Sequence, residues 1–174
     1  MEIDEPVRLT RFLESDSIED LTRLLHRAYA AHAASGLRFF ASYQSVEDTR
    51  HRLGKGECWV ARNKGGEMVG TITVAAPFSA PAGYPVHQSA GSFWQLAVDP
   101  SGRGRGLGRR MVELAESRVR ARGLPRMVID TSADAGELVS WYRRRGYVPV
   151  GTWRWSVTNY DSVVLGKALG TPPS

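Results

Sequence analysis

"VDPSGRGRGLGRR", Val98 to Arg110, sets four glycines and four arginines within the nine residues from Gly102 to Arg110. Directly before it, "FWQLAV" (Phe93 to Val98) reads as a strand. Directly after it, Leu107, Met111, Val112, Ala115 and Val119 recur at helical spacing until a stop near Gly123. The strand therefore ends at Val98, the helix begins near Gly106, and the glycines lie at the helix N-terminus. Unpaired N–H groups and the positive end of the helix dipole coincide there. That junction suits an anion, most naturally a phosphate or pyrophosphate, with Arg103, Arg105, Arg109 and Arg110 adding charge around it.

Spacing decides between phosphate sites. A dinucleotide fingerprint, G-x-G-x-x-G, fails: counted from Gly102 its last position is Leu107, and counted from Gly104 it is Arg109. A P-loop fails too, because no lysine lies between Lys64 and Lys167. The pattern R-x-x-G-x-G does fit, as Arg103, Gly104, Arg105, Gly106, Leu107 and Gly108.

Outward from this stretch the elements alternate. "VRLTRF" (7–12) is a short strand. Ser17 with Asp20 forms a capping arrangement ahead of Ile18, Leu21, Leu24, Leu25, Ala28 and Tyr29 at helical spacing, and a second helix covers about Ser45 to Leu53, closed by Gly54. "ECWVAR" and "EMVGTITVA" flank "NKGG" as a hairpin. "APFSAPAGYPVHQSAGS" (76–92) reads as a surface loop, a lid or a disordered segment. "RMVID" is a strand covered on both faces, and Asp134 can start a helix with Leu138, Trp141 and Tyr142 inward and Gly146 as its stop. Two last strands follow, around "VPVGTWRW" and "SVVLGKAL"; Trp153 and Trp155 share one face, in the core or at a subunit interface. The order implies an α/β (α+β) fold, a mixed, mostly antiparallel central sheet of about seven strands flanked by about four helices.

The segment "LAVDPSGRGRGLGRRMVE" and, about thirty residues on, "WYRRRGY", with Tyr142, Gly146 and Tyr147, together resemble the GNAT superfamily of acyl-CoA-dependent N-acyltransferases. The resemblance covers Cys58 to Tyr147. It implies acetyl-CoA as co-substrate and an acetyl transfer to a primary amine by direct attack in a ternary complex. Backbone amides of Leu96, Ala97 and Val98 would hold the pantetheine arm, Val98 would donate to the oxyanion, and the backbone from Arg103 to Arg109 would cradle the pyrophosphate. Tyr142 would serve the departing thiolate; by helical position alone it is a core aromatic. Many relatives carry a carboxylate on the strand before the loop, where this chain has Trp94 and Gln95. Glu57, His87, Asp130 and Glu137 remain as candidate bases, beside a relay through water that Gln95 could hold. Ala135 stands where the family often has Asn, with Ser132 or Asp134 as substitutes. The acceptor would meet His26 to Tyr43, including His32, Arg38, Phe39, Phe40 and Tyr43, and Pro77 to Ser92.

Composition bounds the alternatives. With 174 residues, 42% hydrophobic and 24% charged, the chain suits one domain, 1–170, with a tail at 171–174. No apolar run is long enough for a membrane span and the acidic start lacks a signal-peptide pattern, so the expected location is cytoplasmic. Cys58 alone makes neither a disulfide nor a metal set and reads as a buried strand residue. A net charge of +5 suits an anionic partner. "GRGRG" could touch nucleic acid, but a single short instance argues for a small-molecule partner, no nucleic acid and no membrane. A fold that binds acyl-CoA without transfer is the other reading, and a homodimer is the expected assembly.

Overall fold

The computed structural model describes residues 7–86 and 88–170. Strand β1 (Arg8–Arg11) leads into helix α1 (Ile18–Ala34), and α2 (Val46–Leu53) follows a 3-10 turn at Phe40–Ser42. The Ser17 side chain accepts from the Asp20 N–H, and Ser45 with Asp48 forms a reciprocal capping box, so both helices start where the sequence marks them. The hairpin of β2 (Glu57–Arg62) and β3 (Met68–Ala75) precedes β4 (Ser92–Val98), α3 (Leu107–Ala121) and β5 (Arg126–Ser132). Helix α4 (Gly136–Arg143), β6 (Val148–Trp153) and β7 (Ser162–Ala168) complete the order. Helix α4 starts two residues later than expected: Ala135 is its N-cap, and the Asp134 N–H donates to Ser132 Oγ at 3.1 Å.

The strands form two antiparallel sheets, β1-β2-β3-β4 and β5-β7-β6, instead of one continuous sheet. They meet at one parallel bridge, Gly91 to Met127. The Gly91 N–H donates to the Arg126 carbonyl and the Val128 N–H to the Gly91 carbonyl, both at 2.9 Å. Only glycine fits, because a Cβ at position 91 would lie 2.3 Å from Val119 Cγ2 of α3.

One face of both sheets packs on α3 and α4 through Ile72, Val74, Phe93, Met111, Val112, Met127, Ile129 and Leu165. Tyr147, almost fully buried, donates to Glu116 of α3 at 2.9 Å, and Lys167 of β7 donates to the same carboxylate, tying helix to sheet. On the opposite face, Leu21 and Leu24 of α1 cover Cys58 and Val60. Burial pushes the Cys58 thiol above its ordinary pKa, which suits its packing role.

Residues 76–86 are docked, not free. Tyr84 is buried against Trp153 and Trp155, with ring centroids 5.5 and 6.0 Å apart. The two tryptophans are therefore covered within the chain by this loop.

Candidate active site

Strand β4 carries one extra residue. Thr71 faces Ala97 and Thr73 faces Trp94, so Ile72 alone opposes Gln95 and Leu96, and Gln95 takes a φ of 54°. The Gln95 side chain turns inward, 4% exposed, and accepts from Thr73 Oγ1 at 3.2 Å. Its Nε2 is buried with no hydrogen-bond partner among the described residues. Beyond this bulge the Asp99 N–H donates to Val69 of β3 at 2.8 Å. Backbone direction alternates along a strand, so the Ala97 amide also faces β3, while those of Leu96 and Val98 face the opposite edge. Of the three amides expected at this strand end, two are thus directed away from the ladder. The Tyr29 hydroxyl donates to the Leu96 carbonyl at 2.6 Å from that open side. Burial lifts the Tyr29 pKa to about 12, so it remains a donor.

The glycine-arginine stretch follows. Asp99 accepts from the Ser101 N–H and hydroxyl and from Arg27, which fixes the turn and holds its carboxyl below the ordinary range, the Ser101 hydroxyl contributing most. Gly104 and Gly106 have φ of 86° and 74°, the left-handed region that glycine adopts without strain. Gly106 is the N-cap of α3 and gives it no side-chain cap, unlike Ser17 and Ser45. The first-turn N–H groups of Leu107, Gly108 and Arg109 therefore have no intrahelical acceptor and no capping oxygen. The Leu107 side chain is buried in the main core. A Cβ on Gly108 would lie 3.5 Å from Trp141 and 3.8 Å from Val98, so α3, α4 and the end of β4 converge at this glycine. The arginine side chains lie around this turn: Arg103 donates to the Ala28 carbonyl, Arg109 to Glu113 and Arg110 to the Val7 carbonyl.

Tyr142 sits on α4, 6% exposed, among Phe93, Trp141 and Tyr147. Its hydroxyl has no hydrogen-bond partner among the described residues. Burial drives its pKa well above the ordinary value of 10, assisted by Tyr29 and the Asp130 carboxylate acting through space.

The candidate bases separate by position. Glu57 faces Val74, which faces Phe93, so it lies at the opposite end of the sheet from Val98, bound to Arg118 at 2.7 and 3.0 Å. Glu137 is exposed on the first turn of α4, in a broad depression with Gly136, Ser140, Trp141 and Arg144. His87 lies outside the described residues. Asp130 of β5 is half-buried, its two oxygens accepting from Tyr84 at 2.6 Å and Trp155 at 2.8 Å. Burial raises its pKa above the ordinary 3.8, and its charge acts on Tyr142, Tyr160 and Arg52.

Several expected acceptor contacts are structural. Phe39 is buried against Tyr29, His32 and Tyr160, with centroids 5.3, 4.6 and 5.1 Å apart. Tyr43 donates to the Val157 carbonyl, and Asn159 bonds the backbone of Gly36 and Arg38, so the α1–α2 connection is stitched to the β6–β7 connection. Ala135 packs in the same cluster as Phe39 and Tyr160. Sequence reasoning missed Tyr29 and Arg52: the first reads as one more apolar-stripe residue, the second as one more surface arginine.

The Acetyltransferase (GNAT) family profile matches residues 18–147. The chain is similar to an S-(2-succino)cysteine N-acetyltransferase of Bacillus subtilis, 28% identical over 76% of this chain and 79% of that protein. It is also 28% identical to a mycothiol acetyltransferase of Beutenbergia cavernae over 71% of its length, a match spanning 39% of that relative. Among solved structures, the ribosomal-protein-S18-alanine N-acetyltransferase of Escherichia coli superposes with a TM-score of 0.71 at 15% identity, covering 97% of each chain. A GNAT family acetyltransferase from Elizabethkingia anophelis with acetyl-CoA bound superposes with a TM-score of 0.65 at 13% identity, covering 94% of this chain and 99% of that one.

Proposed function

The chain belongs to the GNAT acetyltransferase family, and from that premise we propose that it transfers the acetyl group of acetyl-CoA to the amine of a small molecule in the cytoplasm. The observation that carries this reading is the uncapped N-terminus of α3 set beyond the open edge of β4. The amides of Arg103 to Arg109 receive the pyrophosphate, and the outward N–H of Leu96 holds the pantetheine arm. The Val98 N–H lies where the thioester oxygen gains charge as the tetrahedral intermediate forms.

An amine attacks only when neutral. Asp130 is the base in this reading: it is the carboxylate that acts on Tyr142 through space, and burial makes it more basic than an exposed aspartate. Asp130 takes the ammonium proton, and the freed amine bonds to the carbonyl carbon. The carbon–sulfur bond then breaks, and Tyr142, kept protonated by burial, passes its proton to the thiolate and recovers one from the nitrogen as the amide forms. The names of the succinocysteine and mycothiol relatives support a small-molecule acceptor. A homodimer would use the exposed Val148 and Val150 of the edge strand β6.

Calorimetric titration with acetyl-CoA, desulfo-CoA and a short DNA duplex at two salt concentrations tests the proposal. Micromolar or tighter acetyl-CoA binding, followed by thiol release with an amine, is the expected result. Binding without thiol release from any amine would make the chain a binding protein, and salt-sensitive DNA binding alone would overturn the reading.

A further inference from the structure

Arg52 is the last-turn arginine of α2 that points inward. Its Nη1 donates to Gln44 Oε1 at 2.8 Å, and its guanidinium lies over the Phe40 ring, 5.2 Å from the centroid. Among the described residues Gln44 is its one hydrogen-bond partner, and no carboxylate lies within ion-pair distance. Gln44 is itself fully buried and donates to Thr49, which also bonds Thr22 of α1; the Gln44 carbonyl meets His26 Nε2 at 2.7 Å. A closed polar network thus aims one guanidinium edge and leaves its other donors without acceptors.

Four groups act on Arg52 electrostatically. They are Tyr29 of α1, Asp130 of β5 and Tyr160 of the β6–β7 connection, besides Asp48 of its own helix. Tyr29 holds the Leu96 carbonyl, and both Tyr29 and Asp130 act on Tyr142. Arg52 therefore lies on the α1 and α2 side of the cleft at the open edge of β4: the Phe40 ring it covers follows Phe39, which packs on Tyr29 with centroids 5.3 Å apart, and Tyr29 bonds Leu96 of that strand. Partial burial depresses its pKa to about 10. A neutral amide and a ring face hold such a charge in place but do not neutralise it. Asp130 accepts from Tyr84 and Trp155, and among the described residues it forms no ion pair with Arg52.

We infer that Arg52 is the specificity-determining residue for the acceptor, binding a carboxylate that the substrate carries beside its amine. This inference rests on the acetyl transfer proposed above. The cleft then presents opposite charges to a zwitterion: the Arg52 guanidinium to the carboxylate, Asp130 to the ammonium and its departing proton. A planar guanidinium with two free donors matches a carboxylate bidentately, which a lysine would not.

The test compares free amino acids with their carboxamides as acceptors, by thiol release from acetyl-CoA, in the wild-type protein, Arg52→Gln and Arg52→Lys. The expected result is a preference for the acid of at least about tenfold in kcat/KM in the wild type. Arg52→Gln reduces that preference to near unity, with unchanged acetyl-CoA affinity by calorimetry, and Arg52→Lys restores part of it. Equal use of acid and amide by the wild type overturns the inference whether or not either variant folds. A preference that survives in folded Arg52→Gln overturns it as well. Acetyl-CoA binding with no turnover of any carboxylate-bearing amine overturns the inference while the cofactor site stands. Failure of the wild type to bind acetyl-CoA overturns the underlying transferase reading instead.

Discussion

In the proposed reaction two residues, Tyr142 and Asp130, handle the protons. Tyr142→Phe removes one hydroxyl that bonds nothing else in the described chain, so packing among Phe93, Trp141 and Tyr147 persists. Its turnover should fall on the order of a hundredfold, the lower end of acid–base contributions, with acetyl-CoA affinity changed less than about twofold. Single-turnover thiol release with calorimetry separates the two; unchanged turnover would remove Tyr142 from the chemistry. Asp130 must be ionised to accept a proton, so kcat/KM should climb as pH rises through its raised pKa. In Asp130→Asn that acidic limb should vanish and the plateau drop on the order of a hundredfold. The same shift acts on folding with a definite sign. A carboxyl that binds its proton more tightly when folded favours the fold below its ordinary value of 3.8, and that contribution is lost as pH climbs through the folded value. At neutral pH the charge therefore works against folding, a cost that function explains and packing does not.

Among the elements, the contact between α3 and the junction of the sheets sets the geometry of the cleft. Gly91→Ala would drive a methyl to 2.3 Å from Val119 Cγ2 and 2.6 Å from its Cγ1. Such overpacking should cost about 1–3 kcal/mol by denaturant unfolding. Val119→Ala opens the space, so the double variant should be more stable than the sum of the two single losses; strict additivity would mean that the methyl is accommodated elsewhere. Much of this level was legible in the sequence. Ser17 and Ser45 act within three residues of themselves, and the Leu107 to Val119 stripe is periodic, so local rules suffice. The bulge at Gln95 was not legible, because it exists only in the pairing of β4 with β3. Nor was the docking of residues 76–86, since their proline and glycine content reads as exposed while Tyr84 finds Trp153 and Trp155 some seventy residues away. Tyr142 carried a role only through family resemblance, and Arg52 none, because its meaning lies in acceptors that distant segments fail to supply.

For the whole molecule, ligand binding and stability are linked. In the proposed binding mode acetyl-CoA engages α3, α4 and the end of β4, so saturation should stabilise the fold by about 2.7 kcal/mol at a hundredfold excess over Kd. Thermal unfolding at graded acetyl-CoA concentrations checks this; a melting temperature that does not move would mean that the N-terminus of α3 takes no ligand. Arginines around the glycine turn should also make affinity decline modestly with salt. The path of the chain makes such linkage natural, for the sheets share one backbone bridge and diverge from there. Past that bridge β4 carries its single surplus residue, and this has a consequence for how the protein can vary. Substitution at position 95 changes a side chain but keeps the count. Deletion should restore one-to-one pairing with β3 and take away the local bend beside the proposed site. The bend is thus encoded as a length, not a letter, and a single-codon deletion reaches what no scan of substitutions along the strand would touch.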